Sequence, residues 1–185
     1  MHKIIFHLNC LEQGGAERVV TNLANQFVEN GYDVIIATEW YGENEFQTDD
    51  RVRRIHVGLT KEDEQKNRIV QFLLRVKYLR WLIKEERPDI LVPFARRAIY
   101  RGLMAALFVK VPVLISIRTD PVGHYEEWSD KIQIPILFPR VDGCVFQTEG
   151  ARDFFAPRLQ KNSRIILNPL NPKYIGVPVP KKRNK

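Results

Sequence analysis

The sequence lacks a long uninterrupted apolar run, and this absence argues against a membrane-spanning helix. Its longest apolar stretch, residues 102–117, contains Lys110 and Pro112 and falls short of the roughly 20 apolar residues that a spanning helix needs. The apolar run before Asn9 is too short for a secretory signal, and no small-residue cleavage site follows it. We therefore expect a cytoplasmic protein without a transmembrane segment.

The sequence is also poor in metal ligands. Its two cysteines, Cys10 and Cys144, and its four histidines are scattered without the spacing of a metal site, and no Asp-x-Asp motif is present. We predict no metal site and no tightly bound cofactor, while the metal dependence of any activity stays open. Both cysteines lie at or in apolar runs, which favours small buried residues over nucleophiles.

Acidic residues are fewer than basic ones. The 29 Lys and Arg against 22 Asp and Glu give a formal charge of +7, which favours a partner rich in phosphate or an anionic membrane. Nucleic acid fits the charge as well. However, the acids are dispersed among the bases and no helix-turn-helix, zinc-finger or aromatic RNA-binding motif is present, so we expect no nucleic-acid binding.

Apolar runs alternate with helical periodicity along the chain. Residues 3–8 predict a strand, a helical spacing of apolar residues begins at Gly15, and residues 32–38 predict a second strand after Gly31. Further strands are predicted at 53–58, 87–94, 111–117, 142–148 and 163–168, and helices at 64–86, 96–109, 126–139 and 149–156. This alternation predicts a three-layer α/β domain with a predominantly parallel sheet covered on both faces.

The end of the sequence differs in composition from the rest. Residues 169–185 contain several prolines, show no periodicity and finish on a basic stretch. They predict an interdomain linker or a disordered basic tail that follows one domain at residues 1–168.

The motif NCLEQGGAERVV, residues 9–20, places Gly14 and Gly15 where the first strand turns into a helix. Ligands of parallel sheets bind at this edge, and glycine lets backbone amides approach a phosphate closely. A merely tight turn would explain the two glycines as well, so both interpretations stay open. Glu39, after the second strand, occupies the place of a ribose-binding acid, but no dinucleotide or P-loop glycine pattern accompanies it.

The longer string GGAERVVTNLANQFVENGYDVIIAT closely resembles the opening of retaining, GT-B type glycosyltransferases of family 4. The similarity continues in RPDILVPF, in VPVLISIRTDP, in DGCVFQTEGARDFF and in RIILNPL, so that it covers residues 2–175. The string VPVLISIRTDP is similar to the strand and following loop of members that make capsular or other surface polysaccharides. The resemblance implies a Rossmann-like domain that forms the N-terminal, acceptor-side half of a GT-B fold.

The resemblance also implies a reaction. Family members transfer a sugar from a nucleotide-sugar donor to a saccharide or lipid-linked acceptor, and their donor contacts lie chiefly in a C-terminal domain that this sequence does not contain. We therefore expect this chain alone to be inactive or nearly so. The alternative is a stand-alone, non-catalytic module that binds a glycan or lipid acceptor and recruits a separate catalytic subunit.

Several residues acquire expected roles from the resemblance. Gly14 and Gly15 match the loop that closes onto the donor diphosphate. Many relatives carry a histidine where this chain has Arg118, and arginine can stabilise negative charge but cannot act as a base. Asp120 is the nearest ionisable alternative for catalysis, although a turn before Pro121 would also explain it.

The expected acceptor side includes basic and aromatic residues. In the family, the two domains of the GT-B fold face each other across a cleft. The border of this cleft is expected to include Arg96, Arg97 and Arg101, which would bind an acceptor phosphate there or else belong to a solvated helix face. His124 and Tyr125 follow the loop RTDP, residues 118–121. Both would contact a sugar acceptor there, although the Tyr125 ring could instead pack against the rest of the domain.

The long helix predicted at residues 64–86 combines basic and aromatic side chains. Its apolar side is predicted to contain Ile69, Phe72, Leu73, Val76, Leu79 and Ile83. Its other residues include Arg75, Lys77, Tyr78, Arg80, Trp81 and Lys84. This mixture fits either weak peripheral contact with the anionic inner face of a membrane or an ordinary exposed helix.

Overall fold

The computed structural model describes residues 2–12 and 14–167, and the linker or tail predicted at 169–185 lies outside this part of the chain. Its strands are β1 (Lys3–Leu8), β2 (Asp33–Thr38), β3 (Arg53–His56), β4 (Ile90–Pro93), β5 (Leu114–Ile117), β6 (Gly143–Phe146) and β7 (Ser163–Ile165). Its α-helices are α1 (Gly15–Glu29), α2 (Arg68–Glu86), α3 (Arg96–Ala106), α4 (Trp128–Leu137), α5 (Glu149–Asp153) and α6 (Pro157–Lys161).

The strands pair in parallel throughout. One sheet has the order β3-β2-β1-β4 and a second has the order β5-β6-β7. Parallel bridges from Leu91 to Val113 and from Phe94 to Ser116 connect β4 to the beginning and middle of the β5 segment. The two sheets therefore form one twisted layer in the order 3-2-1-4-5-6-7, which confirms the prediction of an α/β domain with a parallel sheet.

Side chains alternate between the two faces of this layer. In β1, Ile4, Phe6 and Leu8 pack with α1, whereas Ile5 belongs to the core beneath α2 and α3. The same alternation in β6 places Cys144 in the larger core. Helices α2 to α6 all contribute to that larger core, and α1 contributes to the smaller one.

The prediction that helices cover both faces is therefore only partly correct. Among the described residues, α1 alone covers its face, and the sheet beside it borders an open groove of about 880 Å³. Leu114 and Val145 line this groove together with Ile166 and Leu167, which are 54% and 72% exposed. Parallel sheets are normally buried on both faces, whereas the described residues leave this part of one face uncovered.

Helix α2 differs from the prediction in its start and in its buried side. The Asn67 side chain accepts a hydrogen bond from the Val70 backbone N–H at 3.0 Å and so caps a helix that begins at Arg68 rather than at residue 64. Ile69 and Leu73 are 74% and 54% exposed. The buried residues are Val76, Leu79, Leu82 and Ile83. Because Leu82 is buried and Leu73 is exposed, the buried side of α2 is turned around the helix axis relative to the predicted side.

The end of α2 is tied to the sheet by a carboxylate. Glu86 accepts hydrogen bonds from Lys3 Nζ at 2.8 Å and from Arg53 Nη1 at 2.9 Å. Asp33 lies within 3.5 Å of the Lys3 ammonium and 3.3 Å of the Arg53 guanidinium. Hydrogen bonds from Arg53 first and Lys3 second lower the pKa of Glu86 from 4.5 to about 2.

This group should make stability depend on pH. Because the pKa of Glu86 is lower in the folded state, the unfolded state takes up the proton first, and stability is lost as the pH falls from 4.5 towards 2. With an allowance for solvent screening, Glu86→Gln should remove about 1–2 kcal/mol of this dependence. Urea unfolding at several pH values across this range measures the free energy of unfolding. An equal change of this free energy with pH in the variant and the wild type would contradict the prediction.

Candidate functional site

The carboxyl ends of β1, β4 and β5 meet beside the N-terminus of α1, where the structure has a cavity of about 220 Å³. The cavity is lined by Ala16, Ala95, Arg96, Ser116, Arg118, Thr119, Gly123, His124, Tyr125 and Glu127. Four residues singled out from the sequence, Arg96, Arg118, His124 and Tyr125, are therefore brought together here. Parallel strands bind ligands at this edge of the sheet.

The two glycines lie at the beginning of α1. Gly14 precedes the helix in an extended conformation, with φ of −129°, and Gly15 is its first residue. Neither has the positive φ that would require glycine in a turn. A Cβ on Gly15 would meet no atom within 4 Å, whereas one on Gly14 would clash with the Glu17 carboxylate. Backbone conformation therefore does not require glycine at either position, Gly15 faces open space, and the phosphate contact stays a prediction.

The loop that leads to the glycines is anchored at two points. The Asn9 carbonyl accepts a hydrogen bond from the Glu39 backbone N–H at 2.8 Å. The Leu11 backbone N–H donates to Glu45 Oε1 at 3.1 Å. A hydrogen bond from Arg54 is the main cause that lowers the pKa of Glu45 to about 2, so this carboxylate stays charged near neutral pH. These bonds hold the loop that precedes α1, whose N-terminus faces the cavity.

Arg96 is engaged within the protein, whereas we expected it to bind an acceptor phosphate. Its guanidinium donates to the His124 carbonyl at 2.8 Å, to Asp130 Oδ2 at 2.8 Å and to Glu127 Oε1 at 2.5 Å. Two carboxylates therefore already neutralise the cation, and the contacts hold the cavity wall at residues 123–127 in place. Arg97 is exposed, and its acceptor role stays a prediction.

Tyr125 and His124 occupy different environments. Tyr125 is only 4% exposed, with its ring edge on Phe155 at 5.5 Å and on Phe138 at 6.5 Å, and burial raises the pKa of its hydroxyl. Most of the Tyr125 ring therefore packs inside the domain, and little of it is exposed to stack on a sugar. His124 is exposed after Gly123, which has φ of +79°, and its acceptor role stays a prediction.

Of the two predicted catalytic residues, only one lines the cavity. Arg118 lines both the cavity and the groove at the end of β5, and burial lowers the pKa of its guanidinium. Asp120 is exposed, does not line the cavity, and accepts a hydrogen bond from the Val122 backbone N–H at 3.1 Å. That bond supports the turn interpretation of Asp120, and a catalytic role for either residue stays a prediction.

A buried charged cluster beside the loop was missed from the sequence. The Glu39 carboxylate lies 2.5 Å from Arg101 Nε, 3.1 Å from Arg75 Nε and 3.7 Å from His7 Nε2. Arg101 also donates to Asn9 Oδ1 at 2.6 Å. The cluster therefore joins β1, β2, α2 and α3 directly beneath the entry to the glycine loop.

One expectation is corrected by this cluster. Arg101, which we expected at the cleft border, is only 8% exposed and pairs with Glu39, which is 5% exposed. Burial raises the pKa of Glu39, and the charges of Arg101, Arg75 and Arg97 oppose that shift. Burial also lowers the pKa of His7 to about 3, so His7 is neutral near neutral pH.

Cys10 and Cys144 are buried free thiols, and burial raises the pKa of both, which confirms them as small core residues. Within residues 2–12 and 14–167, no group of three or more His, Cys, Asp or Glu is arranged to hold a metal ion. No helix in that same part is long and apolar enough to cross a membrane.

The sequence model of Glycosyltransferase Family 4 matches residues 13–174. The chain belongs to this family. It is 27% identical over 169 residues to the GalNAc-alpha-(1->4)-GalNAc-alpha-(1->3)-diNAcBac-PP-undecaprenol alpha-1,4-N-acetyl-D-galactosaminyltransferase of Campylobacter jejuni subsp. jejuni serotype O:2. That match covers 91% of this chain and 46% of the relative, so this family 4 domain spans about half the length of the curated relative.

Solved structures share the fold of this family 4 domain. Sucrose-phosphate synthase from Thermosynechococcus elongatus matches with a TM-score of 0.70 at 12% identity, over 94% of this chain and 49% of the synthase. Anabaena HepE in complex with UDP and glucose matches with a TM-score of 0.66 at 11% identity, over 92% of this chain and 45% of HepE. These matches confirm the prediction that the domain is the N-terminal half of a GT-B fold.

Proposed function

We propose that this family 4 domain is the acceptor-side half of an enzyme that transfers a sugar from a nucleotide-sugar donor to a saccharide or lipid-linked acceptor. The observation that carries the proposal is the cavity at which the N-terminus of α1 and the Arg118 side chain meet. Departure of a nucleoside diphosphate creates negative charge, and both a helix N-terminus and a guanidinium stabilise such charge.

The comparisons support the substrate classes. The Campylobacter relative is named for an undecaprenol diphosphate-linked acceptor, and HepE was crystallised with UDP and glucose. For this chain we propose a nucleotide-sugar donor held mainly by a second domain, and a glycan acceptor on a lipid diphosphate. Retention of anomeric configuration and a place in surface polysaccharide or glycoconjugate synthesis follow from the family resemblance.

The proposed roles fall into two groups of residues in and beside the cavity. Backbone amides at Gly14 and Gly15, with Arg118, face the donor diphosphate. His124 and Arg97 face the acceptor. We further propose that the protein works in the cytoplasm in peripheral contact with the inner face of the membrane, where a lipid-linked acceptor would be reached.

The purified 185-residue chain should bind an acceptor and transfer no sugar. A short-chain prenyl diphosphate that carries an N-acetylgalactosamine oligosaccharide is a suitable probe, with calorimetry as the measurement. His124→Ala should weaken binding about 10-fold, the equivalent of one hydrogen bond to a charged or polar group. His56→Ala is the matched control, because His56 is exposed on β3, stacks on Tyr41 and does not line the cavity.

Three outcomes would contradict the proposal. Steady transfer by the purified chain would refute its expected inactivity, absence of acceptor binding would refute its acceptor role, and equal effects of the two histidine variants would refute the site. The native protein from its source, supplied with donor and acceptor, then separates the enzyme from the non-catalytic binding module, because only the enzyme would show transfer.

A further inference from the structure

Ser116 is a polar residue in the middle of a buried strand. It is the third residue of β5, and it pairs with Val145 of β6 and with Phe94 just after β4. Ile115 and Ile117 belong to the larger core on the opposite side of the sheet, so the Ser116 side chain faces the α1 side. Its neighbours on that side, Phe94 and Val145, are apolar and line the groove beside α1. Packing alone therefore gives no reason for a hydroxyl here.

The Ser116 hydroxyl is buried without a hydrogen-bond partner. Ser116 is 3% exposed, and its Oγ atom has no partner among the described residues. An unpaired buried hydroxyl costs about as much as a lost hydrogen bond, and most buried polar groups have a partner in the protein or in ordered water. The hydroxyl of Thr21 on α1 is unpaired in the same way, so this property alone does not define a site.

The position of Ser116 distinguishes it from Thr21. Ser116 lines both the cavity of about 220 Å³ and the groove beside α1, as Arg118 does, whereas Thr21 lines neither. Ala16 brings the first turn of α1 to the same cavity. The first amides of a helix have no partner within the helix, and Gly14, which precedes α1, has no side chain to cap them. A hydroxyl, a guanidinium and a helix N-terminus therefore meet at one cavity.

We propose that the Ser116 hydroxyl donates a hydrogen bond to a phosphate oxygen of the ligand that this cavity binds. A guanidinium and a helix N-terminus both favour an anion, and a hydrogen bond to a charged oxygen is stronger than one to a neutral group. A sugar hydroxyl would also pair with Ser116, but it carries no charge for Arg118 and the helix N-terminus to attract. The Oγ atom itself is covered in the structure, so the contact requires a rotation about χ1, which leaves the strand in place.

This role of Ser116 rests on the proposed function, which offers two sources of the phosphate. One is the diphosphate of the nucleotide-sugar donor, and the other is the diphosphate of a lipid-linked acceptor. Both present the same oxygen chemistry, so the measurement must separate them. In either case the hydroxyl acts through the ligand and not through the fold. Its removal should therefore weaken binding without weakening the domain.

Calorimetry on the 185-residue chain tests the proposal with two probes, UDP for the donor and farnesyl diphosphate for the acceptor. Ser116→Ala should weaken the binding of at least one probe about 10-fold, the equivalent of one hydrogen bond to a charged group. Ser116→Thr keeps a hydroxyl at this position and should retain most of the binding. A loss confined to one probe identifies the source of the phosphate. Uridine and farnesol, which lack phosphate, should show no difference between Ser116→Ala and the wild type.

Thr21→Val is the matched control, because it removes the other unpaired hydroxyl at a residue that lines neither the cavity nor the groove. It should bind both probes as the wild type does. Urea unfolding without probes is the second readout. Ser116→Ala and Thr21→Val should both unfold at the same urea concentration as the wild type or at a higher one, because each lost hydroxyl has no partner among the described residues.

Wild-type binding of both probes by Ser116→Ala would overturn the proposal and would leave water as the partner of the hydroxyl. An equal loss in Thr21→Val, or a wild type that binds neither probe, would overturn it as well. So would unfolding of Ser116→Ala at a lower urea concentration, because it would reveal a structural role. Normal binding by Ser116→Ala would leave the proposed reaction standing, and failure of sugar transfer by the native protein would leave the comparison of phosphate binding readable.

Discussion

Replacement of Glu39 by alanine should lower the free energy of unfolding by about 3–5 kcal/mol, the cost of leaving a buried charge without its partner. Arg101 is 8% exposed and would keep only its hydrogen bond to Asn9. Arg75 has a side chain that is 25% exposed and can turn to water. The largest cost therefore comes from Arg101. Urea unfolding of the chain, followed by circular dichroism, measures the change.

Two further variants separate the buried charge from the mere loss of contacts. Glu39→Met combined with Arg101→Met should recover most of the lost stability, because paired replacement leaves no unpaired charge between them. Asp49→Ala should change stability little, because it breaks an exposed pair with Arg51. An unfolding free energy of Glu39→Ala close to that of the wild type would contradict the prediction. A double variant no more stable than Glu39→Ala would contradict the explanation.

Much of the fold is predictable from the sequence, because apolar runs and helical periodicity are local properties. The strand predicted at residues 3–8 coincides with β1, and the helix predicted from Gly15 begins there. The strand predicted at residues 111–117 is longer than β5, since Val111 and Val113 are buried without belonging to the strand. Apolar runs indicate burial, whereas a strand requires regular pairing as well.

The place of the candidate site is predictable for a related reason. The carboxyl ends of parallel strands meet at one edge, so the positions of Arg96 and Arg118 in the strand pattern suffice to bring them to one cavity. The partners of Arg101 and Arg96 are not predictable in this way. They come from elements distant in the sequence, and only the packing of helices on the sheet brings Glu39 and Asp130 beside them.

The sequence also contains no local pattern that would predict the uncovered groove. Leu114 and Val145 belong to apolar strands whether or not a helix covers them, and the sequence pattern therefore predicts burial on both faces. Which face a helix covers depends on the order of the strands and the direction of each crossover. Most connections between the described elements run to the same side, and this leaves α1 as the one helix of residues 2–12 and 14–167 on the other.

Replacement of Asp130 by alanine should lower the free energy of unfolding by about 3 kcal/mol and loosen the cavity wall. The fully buried carboxylate accepts hydrogen bonds from Tyr100 Oη, from Arg96 and from the Glu127 backbone N–H at 3.0 Å. Its loss would leave the buried Tyr100 hydroxyl without an acceptor and Arg96 with one carboxylate instead of two. Urea unfolding measures the first effect, and hydrogen exchange of the amides at residues 123–127 measures the second.

Glu127→Ala is the matched control, because it removes the other carboxylate that pairs with Arg96 and leaves Asp130 in place. Glu127 has a side chain that is 60% exposed but belongs to the capping box of α4, so its loss should cost about 1 kcal/mol, clearly less than the loss of Asp130. Asp130→Asn, which keeps the volume and one acceptor oxygen, should fall between the two alanine variants. If Asp130→Ala left the exchange at residues 123–127 unchanged, Arg96 and Asp130 would not be holding the wall.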